Sequence, residues 1–403
     1  MAAHITGVKA VTDNLPLGQN ICRAEVAYDR SPAETIPADA FAVEGRTVTA
    51  VRVRDNTVLL ELDPEDEGAS VIPRPPKPKD GGPKPGPGPM KMGGPPKNMP
   101  PTVRRPIAVT VTQVKDINAA DGGIIPADGV SHPSDSVSEP VVEDFQQLAL
   151  NGMAYNLYTP KDLEDGKTYP LVLFIHDAGP CGPDPKITLS QGLGAVSFAA
   201  PAWQKQHPCF VLAPQVDRGE PMTNDQFEVT GDFDKIKAIL DHVVDSYTVD
   251  KKRLYTTGQS MGCMASCEFN IRYPNLFAAS LLVAGQWSPE RMAAGCPHNK
   301  LWILVSEHDV KAFPGMNAVT DALERAGAKI GRYRWDGSAS PGELTALARE
   351  AAKSGVNVHY TVFNGSTVVA PGHPDHPGSN HTHTWRVAYT VDGLKEWLFS
   401  NSK

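Results

Sequence analysis

Between Val141 and the C-terminus the chain alternates two kinds of segment. Short, almost uninterrupted apolar runs stand at Leu171–Ile175, Cys209–Ala213, Arg253–Thr257, Ala278–Val283, Leu301–Val305 and Val358–Phe363. A strand covered on one face only would alternate apolar with polar residues. A run without alternation needs apolar cover on both faces, as strands of a parallel sheet clothed by helices have. Helical patterns fill the gaps. In Gly231–Tyr247 the residues Phe233, Ile236, Leu240, Val243 and Tyr247 recur at steps of three and four, with Asp232 and Asp234 near the positive end of the helix dipole. Met316–Ala326, Gly342–Lys353 and Arg386–Ser400 read likewise. Strand–helix alternation on this scale predicts an α/β doubly wound domain over 141–403.

The first part of the chain reads differently. Thr47–Arg54 and Thr57–Leu62 flank Asp55-Asn56, a hairpin-turn pair, and Ile5–Val11, Cys22–Tyr28 and Ile107–Val114 are further β-branched runs. These predict a small all-β sandwich over 1–118, with 119–140 as a turn-rich linker. Pro73–Pro106 interrupts it with thirteen prolines, eight basic residues and one acidic residue. Proline fixes φ and lacks a donor, so this insert is expected to be an extended polyproline-like loop. Its local charge of +7, counted from those residues, suits contact with an anionic surface.

Composition narrows the function classes. A net charge of −8 argues against nucleic acid as the main partner, because phosphate binding needs clustered Lys and Arg. No apolar run approaches the roughly 18 residues of a membrane span. The N-terminal residues show no basic-then-apolar leader, so a secreted or periplasmic location would require a leader already removed; otherwise the expectation is cytoplasmic. Six scattered cysteines form no CxxC pair, which leaves a zinc ribbon unsupported and free or buried thiols expected.

The chemistry concentrates at Arg253-Leu-Tyr-Thr-Thr-Gly-Gln-Ser-Met-Gly262, a strand, then G-x-S-x-G, then a helix. A strand turning abruptly into a helix holds the serine strained at the tip, and the glycines on either side permit close chain approach. The helix start supplies N–H groups where an oxyanion would form. Ser260 is therefore the nucleophile candidate. A serine needs a histidine base and an orienting carboxylate, in the order Ser, acid, His. The acid is expected in the turn after Leu301–Ser306, with Asp309 preferred over Glu307. The segment 372–385 offers His373, His376, His381 and His383, of which His381 and His383 precede the expected last helix and are preferred. No His pair there has ligand spacing on regular structure, so no metal is expected. The second oxyanion donor should follow Leu171–Ile175: with Asp177 where a glycine is usual, the N–H of Ala178 is expected to pair with that of Met261. His176 reads as structural, and Trp287 is a candidate pocket residue.

These segments resemble serine α/β-hydrolases. They are Gly166–Gly179, Pro208–Gln215, the Ser260 elbow, Trp302–Asp309 and His381–Tyr389 leading into Glu396–Phe399. More closely they are similar to two-domain bacterial carboxylesterases with an N-terminal immunoglobulin-like domain, relatives of the polyhydroxybutyrate depolymerase and feruloyl esterase group. The resemblance implies an α/β-hydrolase domain behind an immunoglobulin-like one and a cofactor-free ester hydrolase acting on small or polymeric esters. It also selects His381, four residues before Trp385. A peptidase or amidase of the same fold and a non-catalytic polymer-binding protein are the alternatives.

Overall fold

The computed structural model describes residues 4–73, 101–217 and 222–403. They divide into two compact units, 4–73 with Val103–Asp144, and Pro101 and Thr102 with Phe145–Lys403. The body of the proline-rich insert, and with it the expected polyproline-like loop and its contact with an anionic surface, lies outside the described residues.

The first unit is all β. Ile5–Leu15 and Gly18–Tyr28 form a long antiparallel pair, extended by Thr57–Leu62 and then Val48–Arg54. At the expected hairpin Arg54 pairs with Thr57, and Asp55 has φ 55°, the left-handed conformation a two-residue turn requires and Asp tolerates. Phe41–Val43, Thr110–Gln113 and Ser131–Pro133 make a second, three-stranded sheet. Val8, Ala10, Ala24, Val26, Val58 and Leu60 from the first sheet share one apolar cluster with Phe41, Val43 and Val111 from the second. Segment 119–140, expected as a linker, instead contributes strands to this unit. Ser131–Pro133 pairs with Thr110–Gln113, and Ser136–Ser138 runs parallel to Ile5–Leu15. Such short, polar edge strands carry no periodic signal in sequence, because they bury almost nothing themselves.

The second unit holds a nine-stranded sheet. Its order is Gln146–Leu150, Met153–Tyr158, Phe210–Gln215, Tyr169–Ile175, Val249–Gln259, Ala279–Val283, Leu301–Ser306, Val358–Phe363 and Ile330–Trp335. Met153–Tyr158 runs antiparallel to both of its neighbours, and the other eight strands point the same way. All six apolar runs are strands at or near the middle, and the residues of Leu301–Ser306 and Val358–Phe363 are buried throughout. The strands the sequence did not announce stand at the two edges. The helices Gly231–Ser246, Ala312–Arg325 and Pro341–Ala352 lie close to their expected positions.

One helix differs in a way that matters for the site. The expected last helix is two, Pro377–Ala388 and Asp392–Phe399. The first begins nine residues early because His376 caps it, accepting the Ser379 N–H at 3.1 Å, and Pro377 fits the first turn. His381 and His383 therefore lie inside a helix, not before one. Among the described residues no helix is long and apolar enough to cross a membrane, and the six cysteines are all buried.

Candidate active site

The strand Val249–Gln259 occupies the middle of the sheet and ends on Ser260, which is followed at once by the helix Met261–Arg272. Ser260 has φ 51° and ψ −114°, a strained conformation for a residue with a side chain. The surrounding backbone holds it there: its N–H donates to Val283 O at 3.0 Å, and its carbonyl accepts the Met264 N–H at 3.0 Å. The two glycines of the motif are steric requirements. A Cβ on Gly262 would sit 1.9 Å from Ile175 O, and one on Gly258 would sit 2.5 Å from the Gly262 backbone.

The parallel strands end at one edge of the sheet, and the segments that follow them bring Ser260, Asp309 and His381 together there. His381 Nε2 lies 2.9 Å from Ser260 Oγ, and His381 Nδ1 lies 2.6 Å from Asp309 Oδ2. The aspartate is almost fully buried, and its other oxygen accepts the N–H groups of Lys311 and Ala312 at 3.1 and 3.0 Å. Burial alone would raise the Asp309 pKa. The His381 hydrogen bond and charge, with the two backbone N–H groups, outweigh it and hold the carboxyl below its ordinary value. The group is thus an anion facing Nδ1, which fixes the tautomer with a proton on Nδ1 and a free lone pair on Nε2 toward the serine. Trp385, one turn further along the helix, meets the His381 ring edge-on at 5.2 Å and restricts its rotation.

The competing residues are engaged elsewhere. Glu307 accepts the Gly365 N–H at 2.8 Å and pairs with Arg334, and that hydrogen bond and ion pair hold its pKa low. His383 is buried and accepts the Ala370 N–H at Nδ1. His376 caps its helix. Among the described residues no group of three or more His, Cys, Asp or Glu side chains is arranged to hold a metal ion.

Met261 opens the helix, where first-turn N–H groups have no intrahelical acceptor. Ala178 lies in the loop after Tyr169–Ile175, next to Asp177. That aspartate replaces the usual glycine and has structural work of its own: Oδ1 accepts the Gly179 N–H and Oδ2 accepts Gln259 Nε2, both at 2.9 Å. Gln259, the residue before the nucleophile, thus ties the elbow to the neighbouring loop. His176 is buried; its Nε2 accepts the Val216 N–H at 2.9 Å and its Nδ1 donates to Asp177 O. Burial lowers its pKa, so it is a neutral structural group.

Trp287, the candidate pocket residue, sits in the core. It is 1% exposed, packs in an apolar cluster with Cys267 and Met292, and donates its Nε1 proton to Glu268 at 3.0 Å. Its indole satisfies a buried carboxylate that Arg291 and Arg272 also bind. Gln259 and Asn380 also stand at the site, with no motif in the sequence to mark them. The amide of buried Asn380 accepts from Ser306 Oγ at 3.0 Å and donates to Asp375 at 2.9 Å, joining the acid strand to the histidine helix.

A strained serine elbow at the centre of a mostly parallel sheet, with an aspartate on a later loop and a histidine on a later helix within hydrogen-bond reach, makes the second unit a serine α/β-hydrolase fold, and an all-β unit precedes it in the chain. Over 99% of its length the chain is similar to a structure described as a thermostable esterase, covering all of that chain at TM-score 0.79 and 22% identity. A feruloyl esterase module from Clostridium thermocellum is 14% identical, with 61% of this chain and 86% of that one covered at TM-score 0.41. Acetylxylan esterase A of Emericella nidulans is 36% identical over 66 residues, 16% of this chain and only 20% of that protein. No family model matches.

Proposed function

We propose that the protein is a serine carboxylesterase that works without a cofactor through an acyl-enzyme. The observation that carries the reading is the unbroken hydrogen-bonded series Ser260–His381–Asp309 at a strained elbow. Ser260 Oγ attacks the ester carbonyl while His381 Nε2 takes its proton, and Asp309 stabilises the imidazolium that forms. The tetrahedral oxyanion accepts N–H bonds from Met261 and Ala178. Collapse breaks the ester C–O bond, and His381 returns the proton to the leaving alcohol. Water activated by His381 then attacks the acyl-enzyme, releasing the carboxylic acid and restoring Ser260. The names of the similar proteins support short acyl and aromatic acyl esters as the first substrates to try.

The test is Ser260→Ala and His381→Ala against p-nitrophenyl acetate, with methyl ferulate as the aromatic ester. Each should lower kcat by on the order of 10⁴–10⁶ with the fold unchanged by circular dichroism. A fluorophosphonate should label Ser260, identified by peptide mass. More than a tenth of wild-type activity in purified Ser260→Ala would overturn the assignment, as would a label on another residue.

A further inference from the structure

The loop carrying the oxyanion donor Ala178 is short and exposed at Gly179, yet the reaction needs its N–H aimed to within a fraction of an ångström. Hydrogen bonds fix the loop at both ends. At its start stand the Asp177 contacts with Gly179 and Gln259. At its far end Pro180 O accepts Gln215 Nε2 at 2.8 Å, and the Gly182 N–H donates to Val216 O at 3.2 Å. The middle is held by a residue from far away in the sequence. Thr102 donates its backbone N–H to Cys181 O at 3.0 Å and its hydroxyl to Gly179 O at 3.0 Å. The contact is tight enough to dictate another residue: a Cβ at position 182 would lie 2.7 Å from Thr102 O, so only glycine fits there.

We propose that Thr102 is a positioning residue for the oxyanion hole. The Ala178 N–H lies in the Asp177–Ala178 peptide plane and the Gly179 carbonyl that Thr102 binds lies in the Gly179–Pro180 plane, so a single peptide plane, hinged at the Ala178 and Gly179 Cα atoms, separates the donor from the tether. Glycine has the widest backbone freedom of any residue, so without an external bond to its carbonyl this is the place where the loop would pivot. A pivot there rotates the Ala178 segment and degrades a bond that matters most in the transition state, while leaving ground-state binding almost untouched. Thr102 touches no substrate and acts only through the loop.

The proposal rests on the esterase reading, and the experiment separates the two. Thr102→Val keeps the shape and the backbone N–H bond but removes the hydroxyl; Thr102→Ala does the same with less bulk; Thr102→Ser keeps the hydroxyl. With p-nitrophenyl acetate, the Val and Ala variants should lose roughly tenfold in kcat and in kcat/KM together, a fraction of the 10²–10³ attached to removing a whole oxyanion donor. Affinity for an aryl trifluoromethyl ketone, whose hemiketal oxyanion with Ser260 mimics the intermediate, should fall by the same factor. Thr102→Ser should return both to within twofold of wild type. A merely structural threonine would lower the melting temperature and leave kcat and ketone affinity of the folded protein alone, and that result overturns the proposal. If Ser260→Ala keeps its activity, the esterase reading falls first; if it is dead while Thr102→Val is unaffected, only the role of Thr102 falls.

Discussion

Ser260 and His381 reach the same point in the candidate site by opposite means. Around Ser260 the geometry is made by backbone: strand, forced turn, helix, and two glycines with no room for a Cβ. Around His381 it is made by side chains. A histidine cap starts the helix, an asparagine joins it to the acid strand, and a tryptophan holds the ring from one turn away. Backbone geometry of the first kind is unforgiving and leaves glycine in the sequence as its mark. Side-chain networks of the second kind should give way by degrees, and polar residues in a loop do not announce which of them will meet.

The contrast predicts very different costs of substitution. Gly262→Ala should be the most damaging change, since a Cβ 1.9 Å from Ile175 O cannot be relieved by a side-chain rotation. A stability loss of roughly 3–5 kcal/mol is expected, with activity falling to the level of Ser260→Ala because Met261 and Ser260 must both move. Urea unfolding and ester turnover measure the two. A variant that unfolds at the wild-type midpoint and stays active would show that the elbow is as tolerant as the histidine side.

On that other side, Asn380→Ala removes the acceptor of Ser306 Oγ and the donor to Asp375 but leaves Ser306 its longer contact with Gly365 O at 3.2 Å. The expected loss is about 2 kcal/mol, the range for breaking a buried polar contact with partial compensation. Because residue 380 adjoins His381, kcat should fall roughly tenfold while KM holds, a graded loss and not abolition. If activity vanished as completely as in His381→Ala, the asparagine would be part of the reacting set and the contrast would be weaker than drawn.

The same division explains what was legible. The six central strands were visible because each is covered on both faces. The edge strands Gln146–Leu150 and Ile330–Trp335 were not, because a half-covered edge need not be continuously apolar. The elbow at Ser260 was readable from its glycines, and the turn that carries Asp309 from its place after a buried strand. The residues alone left His381 and His383 side by side, and resemblance to a family was needed to choose. The start of their helix was missed because its cap is a histidine, a residue that rarely signals a helix start. Gln259 and Asn380 gave no signal at all. Their roles depend on Asp177 and Ser306, which are 82 and 74 residues away in sequence.

Acid offers the mildest way to separate the two sides. On the acid-and-histidine side, His359 pairs in register with Trp302 of the acid strand and stacks on its indole at 4.3 Å, buried within the sheet. Burial lowers its pKa from the ordinary 6.5 to about 4. The folded state therefore keeps this imidazole neutral while the unfolded chain protonates it. Stability from this group is fully present above pH 6.5 and is lost as pH falls through that value toward 4, a loss of roughly 3 kcal/mol across the window. The depressed Asp309 carboxyl adds a further loss, but only below its own unfolded value, at lower pH. His176 shifts in the same direction as His359 but belongs to the oxyanion loop, so a single substitution tells them apart. His359→Phe keeps the stack on Trp302 and removes the titration. Its urea midpoint should match wild type within about 0.5 kcal/mol at pH 7.5 and exceed it at pH 4.5. Equal acid sensitivity in both proteins would move the weak point to His176, and with it to the Ser260 side of the site, where backbone geometry holds the elbow.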